Sequence, residues 1–193
     1  MGYTLFAGGT YQRAVDVNKD GYSDVPDLKT VFFHPRLFFY PNTKQTVIVG
    51  YNLTYEDRNG GDMQVLHATK DNLHQFFVQN KSLRNTVDAS IETKLNATDQ
   101  LTVKGTASFF NRDISTNVFG MSAKQLSYYS EVTYLKKLAK HNIVAGIILM
   151  AKILERKIPI QQTLIITIIS LLVFLCKMIG LSPKNLLQKQ VFV

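Results

Sequence analysis

The chain has one cysteine, Cys176, no tryptophan and only five prolines in 193 residues. A lone thiol closes no disulfide and builds no thiolate metal site, which excludes a disulfide scaffold and a cysteine-based zinc module. The four histidines, His34, His67, His74 and His141, are too scattered to match a ligand spacing. There is no glycine-rich phosphate loop, serine elbow or well-set carboxylate pair, so no catalytic residue is assigned and the chain is not read as an enzyme. The first six residues have neither a basic start nor a continuous apolar stretch, so they are not read as a signal peptide. Net charge is +8, yet residues 150–193 hold six Lys or Arg against one Glu, leaving 16 against 13 elsewhere. Outside that tail the cations are scattered singly apart from Lys136-Lys137, which argues against a nucleic-acid partner.

What the sequence does have is alternation. From Ser82 the even positions read Ser82, Arg84, Thr86, Asp88, Ser90, Glu92, Lys94; the intervening ones include Leu83, Val87, Ala89, Ile91 and Leu95. After a turn at 96–99 the pattern resumes, with Leu101, Val103, Gly105, Ala107 and Phe109 against Thr102, Lys104, Thr106 and Ser108. A period of two sends side chains to opposite faces of a pleated strand. Shorter stretches at 3–15, 31–40, 46–56, 125–138 and 143–149 read the same way, for about seven antiparallel strands. Pro35 removes a ladder donor from the second of them and predicts a bulge or an edge position.

One dry face and one wet face suit a sandwich or a membrane barrel equally. The connections favour the barrel: 16–28, 57–74 and 111–124 read as long loops, whereas 41–45, 96–99 and 140–142 read as short turns. That rhythm belongs to an up-and-down barrel with short turns on one rim and long loops on the other. The fold class expected is therefore all-β, antiparallel up-and-down strands of a partial transmembrane β-barrel.

Three runs carry a resemblance: Gly21-Tyr22-Ser23-Asp24-Val25-Pro26-Asp27-Leu28-Lys29-Thr30, Gly50-Tyr51-Asn52-Leu53-Thr54-Tyr55-Glu56-Asp57-Arg58 and Thr106-Ala107-Ser108-Phe109-Phe110-Asn111-Arg112. With the strand pattern of about residues 2–148, they resemble the early barrel strands of TonB-dependent outer-membrane receptors. The resemblance implies a cell outer-membrane location, contact with outer-membrane lipid, and a parent receptor that uses TonB to import an iron chelate or a cobalamin-like ligand. Neither a TonB box nor a plug is recognised in the sequence, so a fragment that does not work alone is expected.

The motif richest in ligand atoms is the loop 16–27. Counting from Asp16, side-chain oxygens fall at positions 1, 3, 5 and 9 (Asp16, Asn18, Asp20, Asp24); Gly21 stands at 6, Tyr22 offers its carbonyl at 7, and Asp27 ends the loop at 12. Calcium takes six to eight hard oxygens, and this order resembles a calcium-binding loop in which Asp replaces the usual final Glu. Calcium is the one cofactor considered; the plain alternative is a solvated turn. A soluble calcium-stabilised β-sandwich is the second functional reading.

From Met150 the text changes. Residues 158–176 carry no charge over 19 positions, a length that predicts an apolar helix and, as a third reading, a single-pass inner-membrane protein. The domains expected are 1–149, the partial barrel, and 150–193, an apolar basic tail. Because the alternation breaks off near Leu149, the tail is read as out of frame. With wobble bases free, the neighbouring frame can be written to contain Y-F-T-I-G-V-F-V followed by Q-D-D-W, which restores a strand.

Overall fold

The computed structural model of the chain describes residues 1–67, 71–139, 141–158, 161–171 and 175–180. Strands β1 (Gly2–Gln12), β2 (Asp27–Asn42), β3 (Gln45–Gly61), β4 (Phe77–Lys94), β5 (Asp99–Thr116), β6 (Gly120–Lys137), β7 (His141–Ile158) and β8 (Gln161–Leu171) pair in sequence order, all antiparallel. The last strand, β9 (Leu175–Gly180), shares the outer edge of β7 with β8 in a register one residue different. One short helix, α1 (Met63–Leu66), lies between β3 and β4. The sheet is a single meander, not closed into a barrel and with no second layer packed on it among the described residues. The expected antiparallel up-and-down strand order is present, and the alternative reading, a sandwich, finds no second sheet among the described residues.

Register turns the sequence alternation into two faces. One row runs Tyr3, Leu37, Val49, Ala89, Gly105, Ser130, Leu149 across β1–β7, and another runs Phe39, Val47, Ile91, Val103, Val132, Ile147 across β2–β7. Rows on the opposite side include Thr46, Glu92, Thr102, Thr133 and Gly50, Asp88, Thr106, Tyr129. The greasy face is uncovered: Val87 is 47% exposed, Phe109 51% and Ile147 48%. Among the described residues Val65 and Ala151 are the only buried apolar side chains. A domain normally buries its apolar face against a second layer; this sheet leaves that requirement to its surroundings.

Two expectations are corrected. The long loop at 111–124 is strand almost throughout, for β5 and β6 stay paired from Arg112↔Ala123 to Ser115↔Gly120, leaving a connection of 117–119. Polarity there marks two-sided exposure, and a strand exposed on both faces loses its alternation without losing its ladder. The apolar stretch 158–176 is not helical where it is described: β8 and the start of β9 occupy it. Its isoleucines and threonines favour extended backbone, and the open edge of β7 supplies hydrogen-bond partners. No helix among the described residues is long and apolar enough to cross a membrane, which says nothing about crossing with strands. Strand β7 runs through Leu149, where the alternation breaks off, to Ile158. Residues 181–193 of the tail lie outside the described residues.

Candidate functional site

The end of the sheet that carries the connections 13–26 and 62–76 holds most of the irregular backbone. In the first connection, Asp16 accepts the amides of Lys19 at 2.7 Å and Gly21 at 2.9 Å, one on each carboxylate oxygen. Asn18 accepts the Asp20 amide at 3.0 Å and donates to the Asp20 carboxylate, Asp20 accepts the Tyr22 amide, and Asp24 accepts those of Val17 and Asn18. Asp27, at the start of β2, accepts the Ala14 amide at 2.8 Å. Lys19 (φ 64) and Gly21 (φ 89) supply the left-handed turns that this ladder of side-chain-to-backbone bonds requires.

Five of the six predicted calcium-loop residues are therefore in one connection and Asp27 opens β2, and their side chains are engaged mainly with the backbone of that connection. No group of three or more His, Cys, Asp or Glu side chains that could hold a metal ion is formed among the described residues. The carboxylate of Asp16 nevertheless organises the turn. Asp16→Ala is expected to weaken it by about 1 kcal/mol, the usual net worth of such bonds. The measurement is hydrogen exchange at the Lys19 and Gly21 amides, which should quicken while β4 and β5 amides stay unchanged.

The second connection is joined to the first. Met63 donates its amide to Gly21 O at 2.9 Å, Ser23 donates to Gly61 O at 2.9 Å, and the Gly61 amide donates to Ser23 Oγ at 2.9 Å. The rings of Tyr22 and Phe76 meet edge to face with centroids 6.1 Å apart. Asp62, 5% exposed, is the one buried polar residue among those described. Its Oδ1 caps α1 through the Gln64 amide at 2.8 Å, and its Oδ2 lies 2.7 Å from His74 Nδ1. Sequence reading missed this pair because 12 positions separate two ordinary residues and no motif contains both; the only local signal was Asp62 placed as a helix cap.

The polar face carries ion pairs that depend on register. Arg36 and Asp88 meet at 3.1 Å across β3, directly over Gly50. A Cβ on Gly50 would stand 2.5 Å from Asp88 Oδ1, so the bridge spans three strands because the middle one has no side chain. Glu131 accepts from Tyr129 and Thr133 hydroxyls and sits 3.7 Å from Lys104. Arg84 lies over the Phe110 ring, 4.6 Å from its centroid. Gly50→Val is expected to displace Asp88 and lower stability by about 1–2 kcal/mol, the ordinary cost of overpacking. Urea unfolding should show the loss, and adding Asp88→Ala to Gly50→Val should restore most of it.

The apolar face has a sharp upper margin. Lys29, Asp57, Lys81 and Asp113 are consecutive partners across β2–β5, alternating in sign. Asp99 and Lys136, paired between β5 and β6, mark the lower margin. Between Asp99 and Asp113 that face of β5 bears no charge. Those 14 steps make about 46 Å of strand, or about 35 Å of height at the tilt of a barrel strand. On the same face of β4, Asn85 accepts the Tyr51 hydroxyl at 2.6 Å. Comparison with family models, curated proteins and solved structures finds no match to this chain.

Proposed function

We propose that this chain is a stretch of the barrel of a TonB-dependent outer-membrane receptor, a non-catalytic importer of an iron chelate or a cobalamin-like ligand. The observation that carries the membrane part is the uncharged, uncovered face bounded above by Lys29, Asp57, Lys81 and Asp113. An outward apolar band about 25 Å tall fits within it. Neighbour-to-neighbour strand order and strands of up to 18 residues suit a barrel wall. The receptor part is supported by the three sequence runs described above, one of which lies at the joined connections. The opposite face, with Arg36, Arg84, Asp88, Lys104 and Glu131, would then line the lumen. The open sheet has unpaired edges and does not transport anything by itself.

Spin labels placed singly along 82–94 of the full chain in lipid vesicles, with Cys176→Ser as background, test the membrane part. Odd positions should collide with oxygen dissolved in the acyl chains and even positions with an aqueous nickel chelate. Equal water accessibility on both faces would remove the membrane reading. The receptor part is tested on the gene: genomic sequence around these codons should encode a plug and further barrel strands, with the frame changing near codon 149. Flanks that encode neither would leave a membrane sheet of another kind.

A further inference from the structure

We propose that the Asp62–His74 contact is a protonation-dependent clasp: it ties His74, where the chain returns towards β4, to Asp62, which the backbone already joins to the connection 13–26, while His74 carries a proton, and it slackens as His74 loses it. The proposal does not rest on the receptor reading, and it stands on where Asp62 sits. Three separate pieces of backbone converge on this one buried residue. Its amide donates to Phe76 O at 2.9 Å, its carbonyl accepts Leu66 at 3.1 Å, its Oδ1 caps α1, and its backbone bridges to Tyr22 in the other connection. The remaining oxygen, Oδ2, faces His74 Nδ1 at 2.7 Å. A carboxylate that is 5% exposed has little water to solvate it, so a charged donor at Oδ2 matters.

The charges that act on His74 are Asp62, at the end of β3, and Asp71 in its own connection, which accepts the His74 amide at 2.7 Å and the Leu73 amide at 2.8 Å. From the 13–26 side the neighbouring group is the Tyr22 ring, through Phe76. His74 is raised above its ordinary 6.5, first by its hydrogen bond to Asp62. Asp62 is lowered below its ordinary 3.8, first by the same bond. The raised histidine contributes stability fully below 6.5, and that contribution is lost as pH rises through its folded value. The lowered carboxyl contributes above 3.8 and loses its contribution as pH falls through its folded value. The clasp is therefore complete from about pH 4 to about pH 6.5 and weakens on the alkaline side.

The test uses the full chain in detergent micelles or vesicles, with Cys176→Ser and spin labels on Val17→Cys and Leu73→Cys. Both positions are exposed, at 68% and 88%. Distances between labels should be narrowly distributed near pH 5.5 and broaden roughly twofold towards pH 8, with a midpoint above 6.5. In parallel, the His74 ring signal in nuclear magnetic resonance should titrate at that same midpoint. Asp62→Asn keeps a good helix cap but removes the charge; its distribution should be broad at every pH and its His74 midpoint should fall back towards 6.5. A wild-type distribution that does not change between about pH 5 and pH 8 overturns the clasp, whatever the variant does. So does broadening that follows a different midpoint from His74.

Discussion

Ala89→Arg is expected to cost the chain about 2–4 kcal/mol of stability in a bilayer, whereas Ser90→Arg, one residue along, should stay within about 0.5 kcal/mol. Ala89 sits in the middle of the apolar face, in the row with Val49 and Gly105, and Ser90 faces the other way beside Lys104. An arginine near the bilayer midplane must drag water inward or bend away; an arginine among Glu92, Glu131 and solvent need do neither. Folding equilibria of the full chain into vesicles, followed by urea titration, give both numbers. Costs near zero for both substitutions would mean that water covers the apolar face. Equal large costs for both would mean that the sheet is covered on each side, as in a sandwich formed with another protein.

The contrast is available because faces are the part of this fold that sequence states most openly. Five of the seven odd positions from Leu83 to Leu95 are apolar and none of the even ones between them is, so β4, and β5 as far as Phe110, were legible as strands. Strand ends were less legible. Asn111, Arg112 and Asp113 look like a loop because nothing apolar marks them, yet they pair with Lys124, Ala123 and Ser122. Composition reports burial, and a strand that rises clear of the apolar band has none to report. The apolar tail erred in the opposite direction. Nineteen uncharged residues fit a helix by length, but isoleucine and threonine beside an open edge fit a strand as well.

Contacts across the sheet were out of reach altogether. Arg36, Gly50 and Asp88 form one unit only once β2, β3 and β4 are in register, and no spacing in the sequence announces that. The aspartates of 16–27 were legible as a cluster, but their partners were not: backbone amides take up Asp16, Asp20, Asp24 and Asp27. Asp62 and His74 needed both the end of β3 and the return of the chain into β4 before they could meet.

Gly61→Ala should be the most damaging small substitution in the described part of the chain, costing about 3 kcal/mol or more. Gly61 has φ 126, a conformation that side chains rarely adopt, and a Cβ there would lie 2.6 Å from Phe76 O and 2.7 Å from Phe77 Cα. Both obstacles are backbone, so no rotamer can relieve them. Either β3 and β4 part at their first pair, Gly61↔Phe77, or Gly61 turns and releases its bonds to Ser23. Gly21→Ala provides the control. That glycine also has positive φ, 89, but a Cβ there meets nothing within 4 Å. Its cost should be conformational alone, about 1 kcal/mol. Urea unfolding measures the two totals, and exchange at the Ser23 and Asp62 amides locates the damage. If Gly61→Ala costs no more than Gly21→Ala, then Phe76 and Phe77 yield easily, the joint between the two connections is soft, and a clasp through Asp62 would have little rigid backbone to hold.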